Sequence, residues 1–138
     1  AQTVEDVYLL QYNMVLDFTE KVAQAKLPQG ISKEIFTAIQ FIQNHTNTQI
    51  GVDDIAAAIG KSRSTLTRQF KKETGKTVNE FITESKLRDA KRLLRYSDMT
   101  LSEIASYLAF SNQAYFQTVF KQHTDMTPMQ YRKKYNPL

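Results

Sequence analysis

Apolar side chains recur along this chain at steps of three and four, the spacing that gathers them on one face of an α-helix. Val7, Leu10, Met14, Phe18 and Val22 form the first such stripe, after a Thr3-Val4-Glu5-Asp6 start and before a break at Pro28-Gln29-Gly30. Ile35, Ile39 and Ile42, with Phe36 beside them, form a second that begins near Ser32 and stops in the turn-forming run Asn44–Thr48. A short third helix opens with Asp53 and Asp54, whose carboxylates favour the positive end of a helix dipole, and it closes at Gly60. Three later starts share one chemistry. Thr77-Val78-Asn79-Glu80 and Thr100-Leu101-Ser102-Glu103 are capping boxes, in which the Thr oxygen accepts a first-turn N–H and the Glu reaches back. Thr127-Pro128-Met129-Gln130 has Pro at the first helical position, where the missing N–H is no loss. No segment alternates β-branched residues as a strand would, so the pattern predicts an all-α fold.

The same pattern occurs twice. Ile55-Ala56-Ala57-Ala58-Ile59-Gly60 aligns with Ile104-Ala105-Ser106-Tyr107-Leu108-Ala109 at an offset of 49. Beyond it Ser62 matches Asn112, Leu66 matches Phe116, Phe70-Lys71 matches Phe120-Lys121, and Thr77 and Phe81 match Thr127 and Tyr131 at an offset of 50. The second copy thus has one extra residue in its turn. Each copy reads as a short helix with a small residue at its centre, a tight turn, a Ser or Asn N-cap, a second helix and a capped third one. That layout is a helix-turn-helix.

Leu66 and Phe70, or Phe116 and Phe120, supply the apolar side of each second helix. The outer face carries Arg63, Ser64, Thr67 and Arg68 in the first copy and Gln113, Ala114, Gln117 and Thr118 in the second. These side chains suit base edges in a major groove: Arg for guanine, Gln for adenine, Thr or Ala for a thymine methyl. Between the copies, 77–96 reads as a long amphipathic helix with Phe81, Leu87, Ala90, Leu93 and Leu94 on its buried side. Twenty residues span roughly 30 Å, close to the roughly 34–36 Å between successive major grooves on one face of B-DNA.

Composition narrows the picture further. With 138 residues, 41% of them apolar and 23% charged, the chain can bury its own core. The net charge of +4 is uneven: residues 1–30 carry −2 and the remainder +6. A positive field on the larger part attracts polyanions. Cysteine is absent, which excludes disulfides, thiolate zinc sites and cysteine nucleophiles. His45 and His123 are far apart, and no Ser-His-Asp spacing, Gly-rich phosphate loop or metal-ligand cluster appears. No catalytic residue, metal or cofactor is therefore expected. No run of about 18 apolar residues exists to span a membrane, and the start lacks a signal-peptide layout; a cytoplasmic protein is expected. Because the first residue is Ala1, a piece of a longer protein is also expected.

Over about residues 31–138 the sequence resembles the DNA-binding domain of the AraC/XylS-type transcription regulators of bacteria. The resemblance is carried by Glu103-Ile104-Ala105, Phe110-Ser111-Asn112-Gln113-Ala114-Tyr115-Phe116, Phe120-Lys121 and Thr127-Pro128-Met129-Gln130-Tyr131-Arg132. The first copy adds Ala56, Gly60, Ser62, Leu66, Arg68, Phe70-Lys71-Lys72 and Thr74-Gly75; the middle helix adds Lys86-Leu87, Ala90 and Leu93-Leu94. It implies two helix-turn-helix units, at about 52–73 and 100–123, joined by the linker helix 77–96 and followed by a helix at about 127–135.

Carried over by position, base contacts fall to Ser64, Thr67 and Arg68 and to Gln113, Ala114, Gln117 and Thr118. Ser62 and Asn112, at helix N-termini, can also meet phosphate, and Lys61, Arg63, Lys71 and Lys121 are phosphate candidates on charge. Ala109 and Asp125 stand where the family usually has Gly. A left-handed backbone would cost Ala109 roughly 1–2 kcal/mol and Asp125 less. Lys61 occupies a usually apolar turn position, and Ala114 replaces the usual Ser.

The implied partners are double-stranded DNA and RNA polymerase. Residues 1–30 are expected to be a helical linker or the stump of an absent regulatory domain. A homodimer would form through that domain or through the helix 3–27. The rival reading is a helical protein-interaction module without DNA binding.

Overall fold

The computed structural model describes residues 30–136. The helix expected over residues 3–27, and its role as linker or stump, lie outside them. Among the described residues the regular elements are all helical. They are α1 (Lys33–Asn44), α2 (Val52–Ile59), α3 (Arg63–Thr74), α4 (Val78–Tyr96), α5 (Leu101–Tyr107), α6 (Gln113–Thr124) and α7 (Pro128–Tyr135).

The start residues act as caps. Ser32, Ser62, Thr77, Thr100, Asn112 and Thr127 each accept a first-turn N–H through the side chain. Thr100 with Glu103 and Thr127 with Gln130 complete the reciprocal box, with the return bonds at 3.0 and 2.9 Å. At Thr77 the expectation is corrected: Glu80 N–H donates to Thr77 Oγ1 at 3.1 Å, and only this half of the box forms. Glu80 is exposed, so water solvates its carboxylate without the return bond.

Two apolar cores share α4. Helices α1–α3 enclose Ile35, Ile42, Ile55, Leu66 and Phe70, and Val78 and Ile82 of α4 close that cluster. Helices α5–α7 enclose Ile104, Phe116 and Phe120 around Leu87, Ala90 and Leu94 of α4. The small residues Ala56 and Ala105 are buried at matched positions. Phe70–Phe81 and Phe120–Tyr131 repeat the same edge-to-face pair, each with centroids 5.5 Å apart.

The turns repeat as well. Gly60 and Ala109 both take left-handed backbone (φ 69° and 58°), as do Gly75 and Asp125 (φ 78° and 61°). The bond from Lys61 N–H to Ala56 O at 3.0 Å has its counterpart in Phe110 N–H to Ala105 O at 2.9 Å. These are the long hydrogen bonds that close a helix through a left-handed residue. Phe110 packs on Phe116 at 5.0 Å, whereas its counterpart Lys61 is exposed.

The buried face of α4 differs from the expected one. Val78, Ile82, Lys86, Ala90 and Leu94, at four-residue steps, are all buried, while Phe81 and Leu93 are only half-buried. One rod serving two cores buries a longer, straighter row than a single core needs. Lys86 interrupts that row with a charge, and it is only 7% exposed. Its ammonium donates to Thr46 O at 2.7 Å, Thr48 O at 2.9 Å and Leu108 O at 2.6 Å. Burial pushes its pKa down to about 8, with Asp89 pulling the other way. The far end of α4 is closed by Arg132 of α7. Its guanidinium donates to Leu94 O at 3.0 Å, Ser97 O at 3.2 Å and Leu93 O at 3.4 Å, where a cation also favours the helix dipole.

Two outcomes follow. Ala109→Gly relieves the left-handed strain and stabilises the chain by about 1 kcal/mol, less the added freedom of glycine when unfolded; denaturant titration measures it. Lys86→Met leaves the buried Leu108 carbonyl without a donor and destabilises by about 2 kcal/mol at pH 7. Because the folded pKa lies below the ordinary 10.5, the unfolded chain binds more protons between pH 8 and 10.5. The native chain therefore gains stability over Lys86→Met as pH rises from 8 to 10.5, and below about 8 the gain is absent. Chemical denaturation of both proteins at several pH values reads the difference.

Candidate nucleic-acid interface

The second helix of each unit is anchored on its inner side and polar on its outer side. In α3, Leu66 and Phe70 are fully buried, while Ser64, Thr67 and Arg68 are exposed. In α6, Phe116, Val119 and Phe120 are buried; Gln113, Ala114 and Thr118 are exposed and Gln117 half-buried. The seven candidate base-contacting residues thus lie on two helices, four of them on α6.

Internal bonds decide what several of these side chains present. Thr67 Oγ1 donates to Arg63 O at 2.8 Å, and Thr118 Oγ1 donates to Ala114 O at 3.0 Å. Each hydroxyl proton is committed to its own helix, leaving a methyl group and an acceptor lone pair outward. Arg63 Nη1 donates to Asp53 Oδ2 of α2 at 3.1 Å, in a pair exposed on both sides. Among the described residues no hydrogen bond or ion pair holds Arg68, so its fork of donors is turned to solvent.

The candidate phosphate contacts divide in the same way. Ser62 Oγ accepts from Thr65 N–H at 3.2 Å, and Asn112 Oδ1 accepts from Tyr115 N–H at 2.7 Å. Both side chains are exposed caps, and the first turns behind them offer an anion the positive end of a helix. Lys61 and Lys121 are exposed. Lys71 Nζ donates to Gly75 O at 3.1 Å, which draws it to the C-terminus of its own helix.

Glu73 on the last turn of α3 holds that helix against α1. It accepts from Ser32 N–H at 2.6 Å, Ser32 Oγ at 3.0 Å and Gln69 Nε2 at 2.8 Å. Burial raises the pKa of its carboxyl, but these donors and the Lys72 charge outweigh that and hold it below the ordinary value. Glu73 supports α3, and Lys86 and Gln49 hold the turn that precedes α6; the sequence assigned none of them a role. For Lys86 a signal was present: it stands four residues after Ile82 and four before Ala90, in the middle of an apolar row. For the Ser32 bonds of Glu73 and for Gln49, whose partners are 41 and 60 residues away, no local signal exists.

Comparison with known proteins decides which family this duplicated unit represents. Residues 55–134 match the family pattern described as a helix-turn-helix domain. This chain belongs to the AraC/XylS-type family of transcription regulators. It is 38% identical over 116 residues, 84% of this chain and 67% of the other, to an uncharacterised helix-turn-helix transcriptional regulator of Pseudoalteromonas carrageenovora. It is 37% identical over 98 residues to the xylose operon regulatory protein of Escherichia coli, a match covering 71% of this chain and 25% of that one. The chain therefore spans about a quarter of the xylose regulator's length. Among solved structures it is similar to the DNA-binding domain of AdpA, a global transcriptional factor, in complex with a target DNA. There the TM-score is 0.71 and the identity 26%, over 75% of this chain and 94% of that one. The family is one of transcription regulators and not an enzyme class. Among the described residues no helix is long and apolar enough to cross a membrane.

Proposed function

We propose that the chain reads double-stranded DNA by laying α3 and α6 in successive major grooves, and so performs the sequence-specific binding of a transcription regulator. One observation carries this reading. The same helix-turn-helix is built twice on one rod, and each copy turns a polar, hydrogen-bonding helix face to solvent. The 19 residues of α4 span about 28 Å, which suits grooves roughly one turn of B-DNA apart. Family membership and the likeness to a domain solved on its target DNA support it.

In this reading Arg68 is the base reader of the first unit, with Ser64 and Thr67 beside it offering a hydroxyl and a methyl. Gln113 and Gln117 suit adenine edges in the second unit, where Ala114 and the Thr118 methyl suit thymine. Ser62, Asn112, Lys61, Arg63, Lys71 and Lys121 hold phosphates. The DNA-binding domain is residues 31–138, the site of action is the cytoplasm, and RNA polymerase is the protein partner through which transcription responds. A second copy would join through residues 3–27 or a regulatory domain preceding them.

Duplex DNA titrated at several salt concentrations tests the reading: affinity falls with a log–log slope of about −0.9 per neutralised phosphate, and a slope near zero would overturn it. On a site selected from a random duplex library, Arg68→Ala loses about 1–3 kcal/mol and relaxes preference at one base pair. Equal loss on all sequences would make Arg68 a phosphate contact instead. Asp53→Asn releases Arg63 from an exposed ion pair, changing stability by less than about 1 kcal/mol. It steepens the salt slope by up to about 0.9 and raises affinity for any sequence.

A further inference from the structure

The main helix–helix packing of this chain lies within each unit or against α4. The rod fixes how far apart the two units stand. The first unit grips Val78 and Ile82 near one end of the rod and the second grips Leu87, Ala90 and Leu94 nearer the other. Lys86 lies between the two grips. Its ammonium reaches Thr46 O and Thr48 O in the α1–α2 loop of the first unit and Leu108 O at the end of α5 in the second. Leu108 directly precedes Ala109, the left-handed residue at which the chain turns toward α6. Gln49 of the same loop adds a bond from Nε2 to Ala109 O at 3.4 Å. Both ties thus end on the turn that aims the second recognition helix.

We propose that Lys86 is the positioning residue that sets the register between the two recognition helices, and hence the base-pair spacing at which the chain binds. The proposal rests on the two-groove reading above. Lys86 is buried and so acts through the turn and the loop, not on the DNA. A side chain needed only to fill this place would be apolar, since burying a charge is costly; here the carbonyls of Thr46, Thr48 and Leu108 give the ammonium its partners. Three bonds leaving one nitrogen tie the α1–α2 loop of the first unit to the end of α5 in the second, a link an apolar side chain cannot make.

The test uses the full chain, a preferred duplex selected with it, and duplexes with one, two or three base pairs inserted between the segments read by α3 and α6. The unmodified chain should lose at least about tenfold in affinity with the first insertion. Lys86→Met, and the milder Lys86→Gln with two remaining donors, should bind the uninserted site about tenfold more weakly and vary less than about threefold across the insertions. A profile parallel to that of the unmodified chain would overturn the proposal. Loss of folding by both variants would also overturn it, by making Lys86 a requirement of the fold rather than of the spacing.

A second arm needs no DNA. Residual dipolar couplings of the unmodified chain should fit one alignment tensor for both units, and those of Lys86→Gln should need two; one shared tensor in the variant would overturn the brace. Independence from salt and sequence in the unmodified chain would sink the two-groove reading while this arm still decides the role of Lys86.

Discussion

A single buried ammonium holds the two halves of this chain in one arrangement. Removing a lysine from water is unfavourable, and its lowered pKa expresses that cost. What offsets it is a set of three carbonyls, of which that of Leu108 takes its bond in the buried interior. Thr46 O and Thr48 O lie in a loop, and Leu108 O follows the last turn of α5, where helices leave carbonyls unsatisfied. Hydrogen bonds from a charged donor contribute roughly twice what neutral ones do. The cation and the carbonyls therefore solve each other's problem, and the solution exists only when both units are in place.

Around that junction the molecule repeats itself in backbone and diverges in surface. Caps, left-handed turn residues and the edge-to-face aromatic pair recur in both copies. The faces they support are different. The first helix offers Arg63 and Arg68 with small hydroxyl residues; the second offers two glutamines, an alanine and a threonine. A guanidinium brings both charge and a bidentate fork, whereas Gln brings hydrogen bonds alone. The scaffold thus presents two unlike outer faces. The first carries cationic forks and the second neutral hydrogen-bonding groups.

The second unit also carries more of the structural burden. Arg132 of α7 closes the end of α4 with three carbonyl contacts, and Phe110 seals the turn that Lys61 leaves open in the first unit. The strained Ala109 sits at the same place. Packing by Phe110 and the bonds to Leu108 and Ala109 surround it, which is how a fold sustains an unfavourable backbone angle.

The sequence alone determined whatever depends on neighbours a few residues apart. Helix periodicity, the Ser, Thr and Asn caps, the alanines at the crossings and the duplication are all local chemistry, and so is the choice of outer-face residues on α3 and α6. Ala109 and Asp125, which stand where the family pattern usually has Gly, both take left-handed backbone. Tertiary structure decided the rest. Which face of α4 is buried depended on two cores sharing one rod, so Val78 and Ile82 replaced Phe81 and Leu93 in the row. Arg63 points its guanidinium at Asp53 on another helix, a partner whose position follows only from the folded backbone. Lys86 is the sharpest case. A lysine in sequence reads as a solvated charge, and only the meeting of a distant loop with a helix end supplies the oxygen atoms that let it be buried.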